Sequence, residues 1–131
     1  MIVVDASLLS AFILGEPGWE KLAKYLKHCC SVNLIVAETS NAIWKHYKKN
    51  VITFNSAVKK FEVLKKMINV NITLVNEEPL IDKAFSISIN RDITIYDSLY
   101  IALSLEKKMP LATLDEKQRK VAKELNLKAL P

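Results

Sequence analysis

Asp5, Glu38, Asp97 and Asp115 are the residues of this 131-residue chain whose types and placement could do chemistry. Asp5 ends the apolar run Ile2-Val3-Val4, and Asp115 follows Leu111-Ala112-Thr113-Leu114. Asp97 falls in the first turn of a helix expected from Ile95, and Glu38 lies one turn into a helix expected from Leu34. All four therefore occupy the same end of the elements that carry them. Converging carboxylates repel one another unless a cation neutralises them. An all-oxygen donor set without Cys or His at ligand spacing favours a hard divalent ion, Mg²⁺ or Mn²⁺. Such an ion can activate water and stabilise charge on a phosphodiester during in-line displacement. Each acid also has a plainer explanation. Asp5 or Asp115 could cap the helix that follows, Thr94 and Asp97 have the spacing of a capping box, and Glu38 could be an exposed helix residue.

Other chemistries are poorly supplied. There is no glycine-rich phosphate loop and no G-x-S-x-G elbow. Cys29 and Cys30 are the only cysteines and are adjacent, which excludes an internal disulfide framework and a cysteine-based zinc site. His28 and His46 lack ligand spacing to each other, and Trp19 and Trp44 read as core residues on apolar helix faces.

The elements that must position the acids follow from the apolar pattern. Short runs at 2–4, 30–33, 71–75, 111–114 and 127–130 read as strands. Helical stretches are expected over 6–14, 17–26, 34–47, 54–68, from Pro79 to about 89, over 95–107 and over 116–125. Their inward stripes are read as Val36, Ala37, Ser40, Ile43, Trp44 and Tyr47; Phe54, Val58, Phe61, Leu64 and Ile68; and Leu80, Ala84, Phe85 and Ile89. This alternation predicts one α/β domain over residues 1–131, a three-layer α/β/α fold on a five-stranded, mostly parallel central sheet. In such folds, sites form beyond the carboxyl ends of the strands, where the strand order switches.

Composition narrows the class further. Hydrophobic residues make up 50% and charged residues 25%, with 2 Gly and 4 Pro, which excludes collagen-like and generally disordered chains. No apolar stretch approaches the roughly 20 residues of a membrane-spanning helix. No basic segment precedes the first strand, so a cytoplasmic address is expected. Net charge is +5, and residues 1–66 hold the whole excess, ten Lys against five acids. Lys45, Lys48 and Lys49 follow Glu38 on its helix, and Arg91 precedes the helix of Asp97. A basic face of this kind attracts a polyanion such as nucleic acid; the alternative is a solvated lysine-rich face.

Four segments, taken in order, resemble a known family. They are Val4-Asp5-Ala6-Ser7, Val36-Ala37-Glu38-Thr39-Ser40-Asn41-Ala42, the run from Thr94 through Asp97 to Ser104, and Leu111-Ala112-Thr113-Leu114-Asp115. Together they resemble the PIN domain, in particular the short prokaryotic VapC-type toxins of toxin–antitoxin pairs. One departure is the polar stretch Glu116-Lys117-Gln118-Arg119, where many relatives carry an aromatic. The resemblance implies a homodimeric, Mg²⁺- or Mn²⁺-dependent endoribonuclease inhibited by a cognate antitoxin, leaving 5′-phosphate and 3′-hydroxyl ends. On that reading Asp5, Asp97 and Asp115 are the metal carboxylates, and Glu38 completes the coordination or holds the attacking water. Ser7, Asn41 and Thr113 then position these groups, and Lys45, Lys48, Lys49 and Arg91 are candidate RNA contacts. Related PIN nucleases process RNA outside toxin systems. A DNA-directed nuclease or a phosphatase would use the same metal chemistry, and a non-catalytic protein would use the acids only as caps.

Overall fold

A computed structural model describes residues 1–131. Five short strands form the sheet: β1 (Ile2–Val4), β2 (Cys29–Val32), β3 (Ile72–Val75), β4 (Leu111–Ala112) and β5 (Ala129–Leu130). Their order is β3-β2-β1-β4-β5 and every neighbouring pair is parallel, so the sheet is wholly rather than mostly parallel. Parallel neighbours need a crossover between them, and the helices supply it: α1 (Ala6–Leu14), α2 (Ala23–Leu26), α3 (Leu34–Lys48), α4 (Phe54–Val70), α5 (Ile81–Arg91), α6 (Ile95–Lys107) and α7 (Glu116–Glu124). The chain builds outward from β1 through β2 to β3, then returns to the other side of β1 for β4 and β5. The switch in strand order therefore falls between β1 and β4, directly under Asp5 and Asp115.

α6 is the inner helix of the fold. Every residue from Ser98 to Ser104 is buried, and the helix packs on β1, β2, β4 and α5. Small residues at Ser98, Ala102 and Ser104 let these neighbours approach. The expected helix over 17–26 is instead a 3₁₀ turn, Trp19–Leu22, running into the single turn of α2. Gly18 precedes it at φ +85°, a left-handed conformation that a side chain would resist.

The inward faces of three helices differ from expectation. α3 buries Ile35, Thr39 and Ile43; α4 buries Leu64 and Met67; α5 buries Ala84 and Ile87. Phe54, Val58, Phe61, Phe85 and Ile89 face solvent, as do Trp44 at 54% and Trp19 at 38% exposure. Neither tryptophan is a core residue. Each helix carries apolar side chains on more than one face, and the fit against the sheet selects among them. No helix is long and apolar enough to cross a membrane.

Candidate active site

The register of the sheet brings the first and fourth acidic segments together. Val4 pairs with Ala112, so Asp5 and Thr113 leave adjacent strands side by side, and the Asp5 amide donates to the Ala112 carbonyl at 3.2 Å. Asp5 is wholly buried. It caps α1 by accepting from the Leu8 amide at 3.1 Å. Ser7 Oγ lies 2.7 and 2.8 Å from its two carboxylate oxygens, and Thr113 Oγ1 donates to Oδ2 at 2.6 Å. These hydroxyls are themselves held by the backbone: the Leu114 amide donates to Ser7 Oγ and the Asp115 amide to Thr113 Oγ1, both at 3.0 Å.

The other acids are held in the same manner. Asp115 caps α7 by accepting from the Gln118 amide at 2.8 Å. The side chain of that residue turns back, and Gln118 Nε2 donates to Asp97 Oδ1 at 3.0 Å. Thr94 caps α6 by accepting from the Asp97 amide at 3.2 Å. Glu38, on α3, accepts from the Tyr100 hydroxyl at 2.6 Å. Capping and site placement thus coincide at Asp5 and Asp115.

Electrostatics tie the four acids into one group. Burial pushes the Asp5 carboxyl up to about 6 against its hydrogen bonds to Thr113, Ser7 and Leu8, and the charge of Asp115 pushes the same way. Asp97 is raised by burial and by Asp115, with the Gln118 bond opposing. Glu38 is raised by burial and by Asp97, with the Tyr100 bond opposing. Burial, reinforced by Glu38, holds the Tyr100 phenol far above its ordinary value, so it stays a donor. No Lys or Arg is ion-paired to any of the four carboxylates.

The donor chemistry fits a hard divalent cation: oxygen only, negative, and without an ion-paired Lys or Arg, Lys117 acting on Asp97 only from beyond ion-pair distance. No three of these side chains gather tightly enough to share one ion as ligands. That suits Mg²⁺, which typically takes one or two carboxylates and keeps several waters.

Of the other residues singled out in the sequence, Ser7 and Thr113 sit at the acids. Asn41 bonds to none of them and lines an open groove of about 540 Å³ with Glu38, Ser7, Ser10, Lys45 and Lys49. Lys48 lies outside that groove. Arg91 is ion-paired with Glu124 at 3.0 Å and lines a separate groove beside α7. Tyr100 and Gln118 are given no site role by the sequence, nor is Arg119, whose guanidinium donates to the Thr113 carbonyl at 2.8 Å. Tyr100 carried one usable signal: it lies three residues after Asp97, on the same helix face.

Comparison with known proteins names the family to which this fold belongs. The PIN domain model matches residues 2–124, and the chain belongs to that family. It is 25% identical over 117 residues to Ribonuclease VapC3 of Pyrobaculum aerophilum, covering 87% of this chain and 88% of the relative. It is 26% identical over 113 residues to Exonuclease VapC9 of the same organism, covering 86% and 79%. Among solved structures, PAE2754 from Pyrobaculum aerophilum superposes with a TM-score of 0.75 at 21% identity, over 98% of this chain and 83% of that one. A toxin–antitoxin complex from Klebsiella pneumoniae gives 0.65 at 12%, over 91% and 90%.

Proposed function

We propose that residues 1–131 act as one metal-dependent endoribonuclease domain, the toxin of a toxin–antitoxin pair. The observation that carries this reading is the set of four carboxylates, three of them raised by burial and by a neighbouring acid and none ion-paired to Lys or Arg, beside a groove that Lys45 and Lys49 help to line. Nuclease activity is supported by the names of both VapC relatives. Bound Mg²⁺ or Mn²⁺ supplies charge for the phosphodiester and lowers the pKa of the attacking water. Asp5, Asp97, Asp115 and Glu38 hold the ion, directly or through water, while Ser7 and Thr113 fix Asp5. Asn41, Lys45 and Lys49 line the path of the RNA backbone, with phosphate contacts from the lysines. Attack by water rather than by the ribose 2′-hydroxyl leaves a 5′-phosphate and a 3′-hydroxyl.

A likeness to a solved toxin–antitoxin complex supports an antitoxin partner. That partner covers the acidic end or inserts a basic side chain, replacing the cation's charge. A homodimer working in the cytoplasm completes the proposal, and the exposed apolar side chains of α4 and α5 offer surface for such association.

Asp97→Asn tests the metal reading. Calorimetric titration should show weakened Mn²⁺ binding, and cleavage of RNA should fall more than about 100-fold, beyond what loss of an outer partner costs. Equal Mn²⁺ affinity in the two proteins would remove Asp97 as a ligand. A circular single-stranded RNA separates internal cutting from exonucleolytic trimming: an endoribonuclease linearises it, and an exonuclease leaves it intact.

A further inference from the structure

Tyr100 is among the largest wholly buried side chains of the fold, packed in α6 against the sheet. A buried tyrosine needs a partner for its hydroxyl. Here that partner is not a nearby carbonyl but Glu38 Oε1, on another helix and 62 residues away in sequence. At 2.6 Å the bond has the length of a charge-assisted O–H···O⁻ contact. It is the only protein hydrogen bond to the Glu38 carboxylate, so nothing else fixes its direction. Leu99 and Ile101, the neighbours of Tyr100 in α6, are purely apolar, and a phenylalanine would fill the same space without reaching the acid.

We propose that Tyr100 is a positioning residue: its hydroxyl engages Glu38 Oε1, leaves Oε2 for the ion, and couples the acid of α3 to the acid of α6. This rests on the metal-nuclease reading above. α6 presents Asp97 at the rim and Tyr100 one turn deeper, so one rigid helix sets two acids at once. Tyr100 itself touches neither ion nor RNA.

The test uses the full chain, with Mn²⁺ alone as probe for binding and RNA added only for the kinetics, in the wild type, Tyr100→Phe, Glu38→Ala, the double variant and Asp97→Asn. Tyr100→Phe should weaken Mn²⁺ binding about tenfold, the lower end of the range for an outer partner of a metal ligand. It should lower kcat by a similar factor with the KM for RNA within about twofold. In the Glu38→Ala background the same substitution should change Mn²⁺ affinity no further, because there is no carboxylate left to position. Wild-type Mn²⁺ affinity in Tyr100→Phe, alongside a clear loss in Asp97→Asn, would overturn the inference and leave the metal reading standing. A loss that persists in the Glu38→Ala background would mean that Tyr100 acts through packing, and would overturn it equally. Wild-type affinity in Asp97→Asn would sink the metal reading and this inference with it.

Discussion

α6 and α4 look alike in sequence, two long helices with apolar side chains at helical spacing, yet they end in opposite environments. α6 buries an unbroken run from Ser98 to Ser104. α4 is longer and buries only Leu64 and Met67, leaving Phe54, Val58, Phe61 and Val70 in contact with solvent. The contrast extends to their surroundings. The inner region of β1, β4 and α6 holds its acids with neutral hydroxyl and amide donors. The outer hairpin of α3 and α4 carries Lys45, Lys48, Lys49, Lys59, Lys65 and Lys66. Burial and three of the four acids thus fall in one region, and the lysines, with Glu38 at their inner edge, in the other.

The largest stability difference should come from truncating each helix. Leu103→Ala opens a cavity in the core and is expected to cost about 2–5 kcal/mol. Val58→Thr on the solvent side of α4 should stay within about 0.5 kcal/mol. Urea denaturation measures both, and equal losses would erase the distinction between the regions.

A somewhat smaller effect should come from pH. The folded-state value of Asp5, about 6, lies above its ordinary value of 3.8. Between roughly pH 4 and pH 6 the folded protein therefore binds more protons than the unfolded chain. Stability without metal should fall by about 3 kcal/mol as pH rises through that window, then level off. Glu38 and Asp97, also raised, act in the same direction. Urea midpoints in chelator from pH 4 to 7 test this; Asp5→Asn should flatten the slope, and a stability that climbs with pH would contradict it. Added Mn²⁺ should recover stability most on the alkaline side, where the acids are ionised.

The smallest effect on stability should come from the hairpin. Lys45→Glu with Lys49→Glu should leave the urea midpoint almost unchanged and Mn²⁺ affinity unaltered, yet weaken RNA binding across unrelated sequences. Loss of two phosphate contacts should make the slope of log affinity against log salt shallower by about 1.4 for a single strand. Filter binding at several salt concentrations decides it. An unchanged slope would take these two lysines out of the RNA path.

The elements were legible in the sequence because apolar runs bounded by turns have few readings. α1 and α6 match their expected limits, Ala6–Leu14 and Ile95–Lys107, each fixed by a capping side chain at its start. The faces were harder. Trp44 and Tyr47 share α3 with Ile35, Thr39 and Ile43, and periodicity alone could not say which set meets the sheet. All four acids were visible as a pattern at the ends of elements. Their holders were less so: Ser7 and Thr113 sit beside acids in sequence, whereas Tyr100 and Gln118 serve acids on other helices, 62 and 21 residues away. The capping expectation for Asp5 and Asp115 holds, and it leaves the proposed site role open, since a carboxylate capping a helix at a strand end stands where such a site would form.

The pairing of Val4 with Ala112 has a consequence for the life of the chain during synthesis. Asp5 and Ser7 emerge almost first, but Thr113, which donates to Asp5, and Leu114, which holds Ser7, come more than a hundred residues later. Until β4 inserts beside β1, Asp5 keeps only its local donors, Ser7 and the Leu8 amide, and lacks the Thr113 hydroxyl. A chain still being made, or one cut short before this strand, therefore carries three of the acids without the assembled site. Because long-range parallel pairing closes slowly compared with local helices, the four acids come together late.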